Sequence, residues 1–64
     1  MYQNYTRLRD ERNLSDYAVS QHTGIPRSTF TDWKSGRSAP KMEKLIKIAD
    51  FLGVTVDELV REAT

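Results

Sequence analysis

Four polar side chains at positions 27, 28, 31 and 32 could together hydrogen-bond to the edges of nucleic-acid bases. If this segment is helical, the four positions share one face, and the apolar Phe30 and Trp33 fall on the opposite face. A guanidinium can hold guanine O6 and N7 through two hydrogen bonds, and a carboxylate can accept one from cytosine N4. The base-reading candidates are therefore Arg27, Ser28, Thr31 and Asp32; the alternatives are a phosphate contact for Arg27 and a local charge partner for Asp32.

Two short helices joined by a tight turn must position this face. Ser15 is a good N-cap for the first helix, and Gly24 can adopt a positive φ at the bend. Pro26 suits the first turn of the second helix, which Gly36 ends. This order predicts a helix-turn-helix over about residues 15–35, a motif whose second helix enters the major groove of DNA.

Three further helices are predicted around this motif. The first covers residues 2–12, and the fourth covers residues 40–52. Thr55 and Glu58 form a capping box for a last helix that should run to about residue 63. No window shows the alternation of a strand, so the chain is predicted to be an all-α, compact bundle of five short helices. The apolar stripe of the fourth helix is predicted to comprise Met42, Leu45, Ile48, Ala49 and Leu52.

The composition limits the other functions that the chain could have. Its 64 residues allow one domain, expected to span 1–64, with a small core. Since there is no cysteine and His22 is the single histidine, neither a disulfide nor a metal site is expected. No catalytic arrangement of Ser, His and Asp is visible, so we expect no enzymatic activity and no cofactor. Without an apolar run of about 20 residues or a signal peptide, a cytoplasmic protein is expected.

Charge is distributed unevenly along the chain, although the net charge is only +1. Residues 27–47 contain six basic and two acidic residues, a net charge of +4. Residues 48–64 contain one basic and four acidic residues, a net charge of −3. This pattern favours a polarised surface with one face for phosphates. The alternative is a set of solvated helix faces with no binding role.

Residues along nearly the whole chain follow the pattern of one known family. They are Tyr5, Leu8, Arg9, Leu14, Ser15, Val19, Ser20, Gly24, Ile25, Ser28, Thr29, Phe30, Trp33, Gly36, Pro40, Leu45, Ile48, Ala49, Leu52, Gly53, Val54 and Thr55. The chain thereby resembles the Xre-type helix-turn-helix family, to which lambda-type Cro and repressor DNA-binding domains belong. Because the match includes the flanking helices as well as the motif, chance similarity is a poor explanation for it.

The resemblance implies sequence-specific binding of double-stranded DNA, with base reading from the four positions above. It also implies a transcriptional regulator of bacterial or phage origin, more often a repressor, that binds palindromic operators as a homodimer. Val56 and Val60 of the last helix are the expected dimer surface. The candidate phosphate contacts, taken from the resemblance or from their places near helix ends, are Arg9, Ser15, Tyr17, Thr29, Lys34, Ser35, Arg37 and Lys41.

Two residues depart from the family pattern. Asp16 stands where the family usually has a Gln that touches the DNA backbone, and a carboxylate there repels phosphate unless it points away. Lys34 replaces a Glu that pairs with the arginine matched by Arg9. Either an acid such as Asp10 or Asp16 neutralises these cations, or both face the DNA; the family arrangement favours the second.

Two other classes of function fit the same fold. One is a protein-interaction module, such as an antitoxin or adaptor, whose main partner is another protein. The other is the N-terminal DNA-binding part of a larger regulator. Phe30 and Trp33 could also stack on bases, but their spacing of three residues in one helix favours a place in the core.

Overall fold

The computed structural model describes residues 1–61, which form five helices and no strand. This confirms the predicted all-α fold. The helices are α1 (Tyr2–Glu11), α2 (Asp16–Thr23), α3 (Arg27–Ser35), α4 (Met42–Leu52) and α5 (Val56–Val60). The last helix ends earlier than predicted because the backbone of Arg61 is extended, with φ −63° and ψ 135°. The rest of its predicted length, residues 62–64, lies outside the described residues.

Side-chain caps begin two of the helices, as the sequence predicts. The Ser15 hydroxyl accepts a hydrogen bond of 3.1 Å from the Ala18 N–H at the start of α2. At α5, the Glu58 N–H donates to the Thr55 hydroxyl at 3.0 Å and the Thr55 N–H donates to the Glu58 carboxylate at 3.1 Å. The prediction for Pro26 needs a small correction. It is the N-cap of α3 rather than part of its first turn, because its ψ of 144° is extended.

The core is formed by buried apolar residues of all five helices, and Val19 of α2 and Leu59 of α5 are among those with no exposed surface. Tyr5 of α1 stacks on Phe30 and Trp33 of α3, with ring centroids 5.7 and 4.8 Å apart. Phe30 and Trp33 are buried, which confirms the core interpretation. Four residues of the predicted α4 stripe are also buried, namely Leu45, Ile48, Ala49 and Leu52.

The fifth residue of that predicted stripe is Met42, and this prediction is wrong, since Met42 is 60% exposed. It is the first residue of α4, because the helix begins two positions later than the predicted start at residue 40. Helical side chains tilt toward the N-terminus. The Met42 side chain therefore extends past the end of the helix instead of packing onto the core.

Two polar side chains, one in α1 and one just after it, hydrogen-bond to the C-terminal ends of α5 and α4. The buried Asn4 amide donates to the backbone carbonyl of Leu59 at 3.3 Å and also to that of Glu58. The Arg12 guanidinium donates to the carbonyl of Leu52 at 2.7 Å, at the C-terminal end of α4. These bonds satisfy helix-end carbonyls that have no partner within their own helix.

Replacing Gly24 with valine should destabilise the fold through backbone strain alone. Gly24 has a φ of +75°, and a Cβ built there meets no atom within 4 Å. A β-branched residue at positive φ costs about 1–3 kcal/mol. Gly24→Asn is the matched control, because asparagine tolerates this conformation. Urea unfolding should show a clear loss for valine and a smaller one for asparagine; equal stability of all three proteins would contradict the left-handed turn.

Candidate nucleic-acid interface

The turn between α2 and α3 is fixed by hydrogen bonds and one buried side chain. The Gly24 N–H donates to the Ser20 carbonyl at 2.9 Å and caps α2. The Ser20 hydroxyl, itself buried, donates to the Ile25 carbonyl at 2.6 Å. Ile25 is 3% exposed and fills the corner between the two helices. The sequence predicts a helix-turn-helix here, and the structure confirms its two helices and its turn.

The base-reading candidates lie on the outer face of α3. Phe30 and Trp33 anchor the inner face in the core. Arg27, Ser28 and Thr31 are exposed, and Asp32 is half-buried. The Thr31 hydroxyl donates to the Arg27 carbonyl at 3.3 Å, so it is held close to the helix backbone. The four side chains thus share one accessible surface at the N-terminal end and middle of α3.

Arg27 and Tyr17 meet above the first turns of α3 and α2. The guanidinium carbon of Arg27 lies 5.4 Å from the centroid of the Tyr17 ring. Tyr17 is 54% exposed, and its hydroxyl has no hydrogen-bond partner within residues 1–61. The sequence indicates two separate candidate contacts here and gives no signal that their side chains associate.

The C-terminal end of α3 leads into a basic loop. The Arg37 N–H donates to the Asp32 carbonyl at 2.9 Å, and its guanidinium lies 3.9 Å from the Asp32 carboxylate. Asp32 therefore has a local charge partner, which is the alternative role that the sequence leaves open for it. The Ser35 hydroxyl donates to the same carbonyl at 3.0 Å. Arg37 keeps a side chain that is 79% exposed, so this weak pair leaves it accessible.

The other phosphate candidates are spread around this surface. Lys34 and Lys41 are exposed and form no ion pair with any residue of the described part. Ser15 is exposed at the N-cap of α2, and Thr29 is half-buried in the first turn of α3. Accessible cations and hydroxyls therefore flank the outer face of α3. Their contacts with phosphate stay predictions.

Asp16 points into the protein and accepts three hydrogen bonds. They come from the Tyr5 hydroxyl at 2.7 Å, the Arg9 guanidinium at 2.7 Å and the Tyr2 hydroxyl at 3.1 Å. Arg9 also pairs with Asp10 at 2.8 Å. This arrangement explains how an acid is accommodated at a position where the family usually has Gln. Asp16 acts as a hydrogen-bond acceptor between α1 and α2.

The network keeps each member in its ordinary charge state at neutral pH. Burial disfavours the charged carboxylate of Asp16, but hydrogen bonds from Tyr5, Arg9 and Tyr2 and the charge of Arg9 outweigh it and lower the pKa of Asp16. Burial, and then the neighbouring Asp16, raise the pKa of Tyr5 and of Tyr2. Burial acts against the Arg9 cation, yet Asp16 and Asp10 outweigh it and raise the pKa of Arg9.

These contacts decide between the two alternatives for Arg9. The favoured alternative, that Arg9 and Lys34 both await phosphates as unneutralised cations, is wrong for Arg9, because Asp10 and Asp16 already hold its guanidinium. Its side chain is only 18% exposed. A contact from Arg9 to a phosphate stays a prediction, and one that would have to share the guanidinium with two carboxylates. The sequence carries a signal for this network, since Tyr5 fills a position that the family gives to an aliphatic residue, and a buried hydroxyl needs a partner.

His22 contributes to packing between α2 and α4. Its ring stacks on Phe51 of α4, with centroids 4.8 Å apart. Residues 1–61 contain no group of three or more His, Cys, Asp or Glu side chains that could hold a metal ion. Within the same residues, no helix has the length and apolar character required to cross a membrane.

Comparison with known proteins identifies similar sequences and a similar structure. A family model described as Helix-turn-helix matches residues 7–59. The chain is 36% identical over 56 residues to the cryptic phage CTXphi transcriptional repressor RstR of Vibrio cholerae, covering 88% of this chain and 50% of that protein. It is also 36% identical over 53 residues to the HTH-type transcriptional activator BcrR of Enterococcus faecalis, covering 83% of this chain and 26% of that protein.

The structural match covers nearly all of the chain. The crystal structure of a transcriptional regulator from Listeria innocua superposes with a TM-score of 0.78 at 28% identity, over 98% of this chain and 59% of that one. The chain spans half or less of the length of the two curated relatives named above. What the relatives share with this chain is therefore the helix-turn-helix part of each protein.

Proposed function

The chain belongs to the Xre-type helix-turn-helix family of transcriptional regulators, and from this membership we propose that it binds specific double-stranded DNA and represses transcription. The observation that carries the proposal is the outer face of α3. Its polar side chains are accessible, while Phe30 and Trp33 fix the helix to the core. The major groove of DNA is wide enough to admit an α-helix. A rigidly held helix with an exposed polar N-terminal half is suited to contact base edges there.

Arg27 is proposed to read a guanine, with Ser28 and Thr31 reaching neighbouring base edges. Asp32 contributes by accepting from a cytosine amino group, after exchanging its weak contact with Arg37. That contact, at 3.9 Å, is long enough to be exchanged at little cost. Base reading therefore involves the same four positions that the sequence singles out.

Phosphate contacts are proposed to orient α3 in the groove. Arg37, Lys34 and Lys41 supply the positive charge, and their accessibility supports this role. Ser15, Thr29 and Ser35 supply hydroxyl or backbone donors near helix ends. Tyr17 and Arg9 are weaker candidates, since one lies beneath Arg27 and the other is held by acids.

The proposed active form is a homodimer on a palindromic operator. Val56 and Val60 of α5 are half-buried against the core, so part of each side chain is available to a second copy. A twofold dimer would place two α3 helices about one helical turn of DNA apart. Repression needs only that such a complex occupy a promoter. A bacterial repressor of this kind acts in the cytoplasm, on the nucleoid.

Arg37→Ala should weaken binding to every duplex alike and reduce its salt dependence. Each phosphate neutralised contributes about −0.9 to the slope of log K against log salt concentration. Removing one such interaction should therefore flatten the slope by about one unit, as measured by fluorescence anisotropy on duplexes of unrelated sequence. Arg61→Ala is the matched control, because Arg61 is also accessible but lies after α5 in the acidic part of the chain. Its slope should equal that of the wild type.

Two results of this titration would contradict the proposal. A weakening confined to one sequence would make Arg37 a base-reading residue rather than a phosphate contact. Absence of salt-dependent binding to any duplex would favour the protein-interaction alternative, in which the same fold serves as an antitoxin or adaptor.

A further inference from the structure

Tyr17 occupies an exposed position that its apolar ring does not favour. It follows Asp16 in the first turn of α2, and whereas Asp16 points inward to Tyr5 and Arg9, the Tyr17 ring points outward and is 54% exposed. Among the described residues, the only contact of this ring with a cation or another ring is with Arg27, whose guanidinium carbon lies 5.4 Å from its centroid. The ring therefore lies on the surface of the helix-turn-helix and does not pack in the core.

Arg27 differs from the other arginines near this surface in having no acidic partner. Arg9 is held by Asp10 and Asp16, and Arg37 lies near Asp32, but Arg27 forms neither an ion pair nor a side-chain hydrogen bond within residues 1–61. A long side chain without partners samples many rotamers, and binding to DNA would have to restrict them. Within residues 1–61, the Tyr17 ring is the side chain placed to restrict them beforehand.

An aromatic face is a suitable support for a side chain that must donate hydrogen bonds elsewhere. It attracts the cation through the ring quadrupole and offers no carboxylate or carbonyl oxygen to occupy the N–H groups. An acid in the same place would take two of those donors and repel the DNA phosphates. The guanidinium on Tyr17 thus keeps its fork of donors for a base edge.

We infer that Tyr17 is a positioning residue for Arg27, so that the choice of one base pair in the DNA site depends on Tyr17 although Tyr17 reads no base itself. The inference rests on the proposed function, because it requires Arg27 to contact a base. It assigns the role to the ring of Tyr17, whereas a phosphate contact would use its hydroxyl.

The test compares base selectivity in variants on a duplex that the wild-type chain prefers. Arg27→Ala first identifies the base pair at which selectivity disappears. Tyr17→Ala should lower the Kd ratio at that base pair by about two- to fivefold, the range expected for a cation–π contact at an exposed site. Tyr17→Phe keeps the ring and should retain the wild-type ratio. The double variant Tyr17→Ala with Arg27→Ala should be no less selective than Arg27→Ala alone.

A measurement on the free protein checks the geometry independently of DNA. The side-chain protons of Arg27 should show ring-current shifts in NMR spectra of the wild type and of Tyr17→Phe, and these shifts should disappear in Tyr17→Ala. Thermal melting should be nearly unchanged in Tyr17→Ala, since the residue is outside the core.

Specific results would overturn the inference. A wild-type ratio in Tyr17→Ala, with selectivity abolished in Arg27→Ala, would mean that Arg27 needs no support. An equal decrease in Tyr17→Phe and Tyr17→Ala would assign the effect to the hydroxyl. If the wild-type chain showed no base preference on any duplex, the proposed function itself would fail, an outcome distinct from both.

Discussion

Asp16→Ala should lower the free energy of unfolding by about 3 kcal/mol. One hydrogen bond to a charged group contributes about 1.5–3 kcal/mol, and the three here share one acceptor that is 30% exposed, so their contributions do not add in full. The variant leaves the hydroxyls of Tyr2 and Tyr5 and the guanidinium of Arg9 without that acceptor. Such a loss is a large part of the stability of a small domain, which begins at about 5 kcal/mol. Urea unfolding, followed by Trp33 fluorescence and circular dichroism, measures the effect.

Asp10→Ala is the control for this variant. Asp10 also pairs with Arg9, but its side chain is 64% exposed and its carboxylate accepts only from Arg9 among the described residues. An exposed pair contributes about 0–1 kcal/mol. Similar destabilisation by the two variants would mean that the three hydrogen bonds to Asp16 contribute little.

The contribution of Asp16 should also depend on pH in a defined direction. Its pKa is lowered in the folded protein, so the unfolded chain takes up a proton at this group more readily. The stabilisation is therefore present above the unfolded pKa of about 3.9 and is lost as the pH falls through the lower folded pKa. The difference in unfolding free energy between wild type and Asp16→Asn should be largest at neutral pH and narrow below about pH 4. A difference that grows on acidification would contradict the sign of the pKa shift.

Arg27→Ala should cost about 1–3 kcal/mol of binding free energy on the preferred duplex and relax the choice of one base pair. The reason is that a guanidinium forked onto a guanine contributes only when that guanine is present. Titrations on the preferred duplex and on its single-base-pair variants measure the effect. Arg37→Ala is the comparison, because removing a phosphate-binding side chain lowers affinity without altering the choice of base. Equal weakening on all duplexes by Arg27→Ala would make Arg27 a phosphate contact.

The parts of the fold that sequence predicts well are those fixed by local chemistry. The Ser15 cap, the box of Thr55 with Glu58 and the turn at Gly24 depend on residues within three or four positions of one another. The burial of Phe30 and Trp33 follows from their spacing in one helix. The candidate base-reading face of α3 follows from the same periodicity; Arg27, Ser28 and Thr31 are exposed as predicted, whereas Asp32 is half-buried.

The parts that sequence does not predict depend on contacts between distant residues. Asp16 meets Tyr2 and Tyr5 across the α1–α2 junction, and Asn4 bonds to carbonyls of α5 more than fifty positions away. Composition and periodicity do not say which residues form such pairs; Tyr5 signals only that a buried hydroxyl needs some partner. The proximity of Tyr17 to Arg27 likewise depends on how α2 and α3 cross. The predicted burial of Met42 is wrong because the start of α4, unlike its apolar stripe, is weakly marked in the sequence.

Selection from a random duplex pool is the decisive test of whether α3 reads DNA sequence. The wild-type chain should enrich related sequences with inverted half-sites about 10–10.5 base pairs apart. The same selection with Arg27→Ala should lose the preference at one position of each half-site and keep the others. A wild-type pool that stays random after repeated rounds, under conditions in which the chain is folded, would contradict sequence reading by α3.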